Sequence, residues 1–382
     1  MRGTVLAVVL ILGACSSPPA PKAQSSPSAT FAPSPTGLKG DLPVVAANYD
    51  AQGNRHAIGG FLHFPGGAFA RDPRAEMVPD DTRPPAGLTR MLRTIVQPYL
   101  FGTSNGIYGE ITYDRPAERW LPVARAQVSP DGLRYAYTEL LQFPGDVLGG
   151  ATSGGRIHIA DVHSGSDQVV YSYSGRQPLS VVSFAQDGVY ISPGCEGVEV
   201  VLPGACGPDS FTLSRLDAKT GKVTKVSDRR GSWVIAGGLA WMSTLEGGAD
   251  QPNQLLRIEL STGSVQTWDH EPITPHEPGS CCWTMSVVGT DADGSPLVVL
   301  PLARQALPTL GTNESLLLRV TRPGQAERIF SEQGCCLDAI ADLHGIWFAV
   351  AFGPAQGIYL YANPSGVRKV SDIAGLPVGT LN

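Results

Sequence analysis

From about residue 120 to residue 372 the chain repeats one phrase of apolar and polar positions. An apolar strand leads to a tight Asp/Gly turn and a second apolar strand. A variable loop follows, then a third strand closed by another glycine turn. The clearest copy is VARAQVSPDGLRYAYTEL followed by RIHIADVHSGSDQVVYSYS. Next come PLSVVSFAQDGVYIS with SFTLSRLDAKTGKVTKVS, and WVIAGGLAWMS with NQLLRIELSTGSVQTW. TMSVVGTDADGSPLVVL with SLLLRVTRPGQAERIF, then LDAIADLHGIWFAVAF with GIYLYANPSGVRKVS, complete five copies. In 255–260 apolar and polar residues partly alternate, the period of a strand with one buried face. Ser261-Thr262-Gly263-Ser264 then supplies a turn whose glycine tolerates positive φ. Gly and Pro punctuate the chain too often for helices. The exception is LTRMLRTIV at 88–96, which has the pattern of a short helix inside an insertion.

The first-turn glycines fall at Gly132, Gly188, Gly238, Gly294 and Gly345, a period of about 50 to 56 residues. Four short strands per period of that length predict the blades of an all-β propeller. The segment 42–122 then has to supply at least one more blade, from RHAIGGFLHFPGGAFARDP and IYGEITYDRPAERWLPV. Six blades are expected, or seven if those two pieces belong to different sheets. Closing the ring removes the free sheet edges an exposed all-β protein must otherwise protect.

VSPDGLRYAY followed by RIHIADVHSG resembles the WD-repeat-like blades of TolB-type propellers, which are common in secreted bacterial proteins. The resemblance is good over 124–174 and looser elsewhere, where AQDG, DADG and DLHG stand in place of SPDG. It implies a propeller and nothing finer, because that fold hosts binders, scaffolds and enzymes alike.

The N-terminus adds an address. Arg2 precedes an apolar run from Gly3 to Leu12, too short to span a bilayer but suited to a secretory signal. Leu12-Gly13-Ala14-Cys15 resembles the bacterial lipobox, in which the thiol is lipidated and becomes the mature N-terminus. The expected organisation is a signal peptide over 1–14, Cys15 with a Ser/Pro/Ala-rich tether over 15–40, and a propeller domain over 41–382. The tether lacks the apolar residues that would offset its ordering entropy. No later apolar run reaches membrane-spanning length. The reading is a monomer held to a membrane by its N-terminal lipid, on the extracytoplasmic side (periplasm or cell surface).

Composition narrows the partners. A net charge of −6 argues against nucleic acid, whose phosphates call for clustered Lys and Arg. Lipidation of Cys15 leaves six cysteines in an oxidising compartment, where disulfides are favoured over metal thiolates. Cys195 and Cys206 lie within one loop and are candidates for a local pair. The doublets Cys281-Cys282 and Cys335-Cys336 each precede the innermost strand of consecutive repeats. Staples between neighbouring blades, or a disulfide within each doublet, are both open.

The connections divide into two sets. SPDG, AQDG, DADG, HSGS, KTGK and STGS are short and fall on one face of a propeller. Gln142 to Gly155, Pro193 to Asp209, Glu246 to Asn253 and Pro301 to Asn313 are long and fall on the other, with an insertion near Pro65 to Asn105. Length variation on one face is how a rigid scaffold presents a recognition surface. His270, His276 and Glu277 lead toward the first Cys doublet and contain zinc-type ligands, but no HExxH pattern holds them. Trp283, beside the doublet, is a candidate to stack on a ligand. No nucleophile elbow, phosphate loop or dinucleotide fingerprint is present, and no cofactor is expected. The leading expectation is a binding or scaffold module for a protein, a peptide or a cell-wall glycan. The competing class is a propeller hydrolase or lyase, with or without a metal, working over the central channel.

Overall fold

The computed structural model describes residues 37–49, 55–76, 111–142, 152–175, 177–194, 211–244, 254–270, 285–302, 314–333, 335–350, 353–363 and 365–382. Strands β1 (Gly40–Tyr49), β2 (Arg55–Phe64) and β3 (Ala68–Glu76) form an antiparallel meander. Pro65-Gly66-Gly67 is a tight turn in which the Gly67 N–H donates to the His63 carbonyl at 2.7 Å. The insertion expected from Pro65 therefore starts no earlier than the end of β3. A short hairpin, β4 (Thr112–Asp114) and β5 (Arg119–Leu121), makes a separate sheet. The two pieces of 42–122 thus belong to different sheets.

The best copy of the repeat holds a departure from expectation. VARAQV reads as a strand, but Arg125–Gln127 forms a 3-10 turn, η1, and only Val128 bridges to Tyr135. The cause is Gln127. Its Oε1 accepts the Ala124 N–H at 2.8 Å while its own N–H donates to the Ala124 carbonyl at 2.9 Å. The three-stranded sheet β6 (Arg134–Gln142), β7 (Thr152–Asp161) and β8 (Asp167–Ser174) follows.

Four four-stranded antiparallel meanders come next. The first is β9 (Leu179–Ala185), β10 (Gly188–Pro193), β11 (Leu213–Leu216) and β12 (Val223–Ser227). The second is β13 (Gly231–Ala236), β14 (Leu239–Thr244), β15 (Gln254–Glu259) and β16 (Val265–His270). The third is β17 (Ser286–Thr290), β18 (Pro296–Leu302), β19 (Glu314–Arg322) and β20 (Gln325–Gln333). The fourth is β21 (Cys335–Asp342), β22 (Gly345–Val350), β23 (Gly357–Ala362) and β24 (Gly366–Ser371). Last, β25 (Gly375–Pro377) returns to pair with β1, placing Leu376 opposite Val45.

Each sheet buries both faces against its neighbours, and the resulting apolar cores run in a closed cycle. Leu42 and Leu62 of the first sheet pack with Trp347 and Leu360 of the last. Phe348 and Tyr359 meet Leu297 and Leu317. Val298 and Leu300 meet Trp241 and Leu255, and Met242 and Leu256 meet Tyr190 and Leu213. Val189 and Ile191 meet Ala136 and Ile157, then Tyr135 and Tyr137 meet Leu121. Tyr113 and Trp120 return the cycle to Val45 and Ala75. Nearly all-β sheets packed face to face in this way are the build of a β-propeller. The outer strands β8, β12 and β16 are largely exposed, whereas β10, β14 and β22 are almost wholly buried.

Candidate functional site

The inner strands converge on a central cavity of about 600 Å³. Its wall is built from η1, β9, β13, β17, β21 and β25, with Ile111 and Thr112 beside them. A cavity of this size is in the usual range for a ligand site. The middle of the wall is aliphatic, with Val182, Val234, Val288 and Ile340 each half-buried on a different sheet. Val182 and Val288 coincide with irregularities in strand register, between Tyr190 and Ile191 and between Val287 and Gly289. A bulge of this kind re-aims a side chain out of the sheet's regular alternation.

One end of the cavity is polar. Gln127 Nε2 donates to the Val181 carbonyl at 2.9 Å, which sets η1 against the start of β9. Arg125 opens η1 and lines the cavity there, exposed, with no hydrogen bond or ion pair to its guanidinium among the described residues. Ser180 lies next to Val181 and pairs in register with Ser192. The Ser180 hydroxyl is buried and has no partner. Phe211 takes the Pro193 carbonyl through its N–H at 2.6 Å, and its own carbonyl accepts the Gly231 N–H at 3.1 Å. That chain of contacts brings Ser232, at the start of β13, to the same end.

The acidic group in the wall is already engaged. Asp291 accepts backbone N–H bonds from Asp293 at 2.9 Å and Ser295 at 2.7 Å, and it pairs with Arg319 at 2.5 Å. Thr112 is likewise spoken for, donating its hydroxyl to the Val378 carbonyl at 2.6 Å. Arg125 therefore supplies the uncompensated charge of the described wall.

A second polar cluster sits in the sheet β6–β8, away from the cavity. His158 is buried with Nδ1 3.1 Å from Asp167 and Nε2 3.1 Å from Glu139. The Tyr137 ring stacks on the imidazole at 4.6 Å, and its hydroxyl donates to Asp167. Strand β3 carries a further buried acid, Asp72, which accepts the Trp120 indole N–H of the β4–β5 hairpin at 2.9 Å. The Arg74 guanidinium beside it holds the Asp72 carboxyl at about 2, against the opposing pull of burial.

The residues singled out in the sequence are placed as follows. His270 ends β16, the outermost strand of its sheet, and is exposed opposite Gln254; it does not line the cavity. His276, Glu277 and Trp283 lie outside the described residues, as do Cys15, Cys195, Cys206, Cys281 and Cys282. The helix expected at 88–96 and most of the long connections are outside them too. Cys335 and Cys336 open β21, the inner strand of its sheet, with Cys335 in register with Val350. Among the described residues no group of three or more His, Cys, Asp or Glu is placed to hold a metal ion. No helix among them is long and apolar enough to cross a membrane. Arg125, Ser180 and Ser232 were not anticipated. Their signal is a serine recurring at the start of successive inner strands, in PLSVV, GSWVI and TMSVV.

No protein-family profile matches the chain, and no curated protein does. Solved structures of similar shape include an oligogalacturonate lyase from Vibrio parahaemolyticus, 13% identical, with 86% of this chain and 94% of that one covered and a TM-score of 0.46. A putative TolB from Agrobacterium tumefaciens is 11% identical over 78% of this chain and 90% of that one, with a TM-score of 0.38. An acylaminoacyl peptidase from Pyrococcus horikoshii is 10% identical over 87% of this chain, which spans only 44% of the peptidase, with a TM-score of 0.39. The fold assignment rests on the strand pairing and the cycle of cores.

Proposed function

We propose that this protein is a lipid-anchored, extracytoplasmic propeller that works by binding a protein, peptide or glycan at its central cavity and the loop-bearing face around it. The observation that carries this reading is the cavity wall. It is a roomy, largely aliphatic wall drawn from several sheets, with Arg125 as its one charge not engaged by another described residue. A concave, mostly apolar wall with a few polar groups is the usual form of a ligand site. We read the ring as seven-bladed, with β4–β5 as a truncated blade. Support comes from the separate sheet this hairpin forms and from its cores on both sides. Leu12-Gly13-Ala14-Cys15 supports the anchor.

Thermal shifts of the full-length protein against separate pools of peptides and cell-wall oligosaccharides test the binding reading. A pool that raises Tm for the parent protein but not for Val234→Trp, which fills the cavity, is the expected result. A folded Val234→Trp that responds like the parent, or no response from any pool, would overturn it. For the anchor, Cys15→Ala is expected to move the protein from the membrane pellet to the soluble fraction. Retention in the pellet would remove that part of the proposal.

A further inference from the structure

The outer strands carry a charge asymmetry that the cavity does not use. From Asp217 to Arg230, the turn into β12, the strand itself and the residues just after it hold five basic side chains against two acidic ones. The matching stretches of the two adjoining sheets, 161–174 around β8 and 259–270 around β16, contain no Lys or Arg and two acids each. The basic strip thus stands between acidic neighbours, in a chain whose net charge is −6. Lys219, Lys222, Lys225 and Arg229 are exposed, and Arg230 is half-buried. Among the described residues no hydrogen bond or ion pair engages the Lys222 ammonium or the Arg229 guanidinium. Of the two acids, Asp217 is turned back onto the N–H groups of Lys219 at 2.8 Å and Thr220 at 2.9 Å. Lysines often serve to protect a free sheet edge. That does not account for these, because β8 and β16 are outermost strands of the same kind and have none. Val223 adds an apolar side chain, 36% exposed, in the middle of the strip.

We propose that β12 and the basic residues flanking it form a contact site for an anionic phospholipid surface. This rests on the lipid-anchored reading above, which brings a membrane within reach of the domain. Lys and Arg held near such a surface are drawn to it over about a Debye length. Exposed ammonium groups on flexible stems suit a fluid array of phosphates, which asks for charge rather than for a fixed hydrogen-bonding geometry. An acyl chain and a basic patch together hold a protein to a membrane more firmly than one acyl chain does. The strip alone is a weak, salt-sensitive attachment, so it orients the anchored domain and does not replace the anchor. As the outermost strand of its sheet, β12 meets the lipid from the side opposite β9, the strand that lines the cavity. Contact there leaves the cavity turned away from the lipid.

The test uses the full chain carrying Cys15→Ala, so that no lipid of its own contributes, in vesicle co-sedimentation at low and at high salt. One vesicle is phosphatidylcholine alone, and the other contains about 30% phosphatidylglycerol. At low salt the protein is expected to bind the anionic vesicle at least tenfold more tightly than the neutral one, and high salt should erase the difference. The pair Lys222→Glu with Arg229→Glu is expected to abolish the preference. The pair Arg322→Glu with Arg328→Glu makes the same change in net charge on exposed residues at β20, and should leave the preference largely intact. All four side chains are exposed, so both pairs are expected to keep the parental Tm. Equal binding to the two vesicles, or equal weakening by the two pairs, overturns the proposal. So does failure on both vesicles where a soluble acidic glycan binds, which would make a wall polymer the partner. The two readings fail separately, because the strip is read on vesicles without Cys15 and the anchor by fractionation of the lipidated chain.

Discussion

Asp72 shows how this scaffold uses a single charge. Its carboxylate takes hydrogen bonds from Arg74 and from the Trp120 indole, and so ties the first sheet to the β4–β5 hairpin. Because the folded-state value is lowered to about 2, the ionised form is favoured by folding. The stabilisation, at most about 2 kcal/mol, is fully present above the unfolded carboxylate value near 4 and disappears as pH falls through about 2. Asp72→Asn is expected to lose about that much at pH 6 in urea unfolding, and the gap from the parent protein should close as pH approaches 2. A gap that stays constant with pH would mean the charge contributes nothing. His158 is held differently, with a carboxylate at each ring nitrogen and an aromatic face against it. Nothing in the spacing of Glu139, His158 and Asp167 announces that arrangement, because it depends on the pairing of three strands.

At the scale of elements, glycine turns set the rhythm that made the repeat readable. Gly221 and Gly263 occupy equivalent turns between third and fourth strands, at φ +69° and +71°. They differ in their surroundings. A Cβ on Gly221 would lie 2.9 Å from the Val170 carbonyl oxygen of the neighbouring sheet, whereas one on Gly263 would meet nothing within 4 Å. Gly263→Ala is therefore expected to cost about 1 kcal/mol, the left-handed backbone penalty, and Gly221→Ala about 1 kcal/mol more, measured by urea unfolding. Equal losses would show that the contact yields freely. The turn glycines at 132, 188, 238, 294 and 345 all take positive φ, in agreement with the expected period. What misled the reading was VARAQV, where the Gln127 side chain bonds back to Ala124 and competes with strand pairing. The cavity was less legible still. Arg125, Ser180, Ser232 and Ile340 are far apart in the chain, and their meeting depends on the ring's closure rather than on any local pattern.

For the whole molecule, closure rests on a short strand. β25 adds an inner edge to β1, and its neighbourhood is fastened by the Tyr113 N–H to the Val378 carbonyl, and by Arg115 to the Thr380 and Asp41 carbonyls. Leu376 and Val378 also complete the core that holds Val45 and Trp120. Removing residues 375–382 is expected to lower Tm by at least 10 °C, through loss of several buried apolar side chains and an exposed strand edge. A truncated protein with parental Tm would show that the ring closes without it. The same pairing imposes an order in time. The second partner of β1, β25, is made more than 300 residues after β1 itself, so the first sheet stays unfinished until residues 375–377 have been synthesised. For the exported protein proposed above, that delay favours passage through a translocation pore, because a ring that cannot seal early leaves the chain easier to unfold.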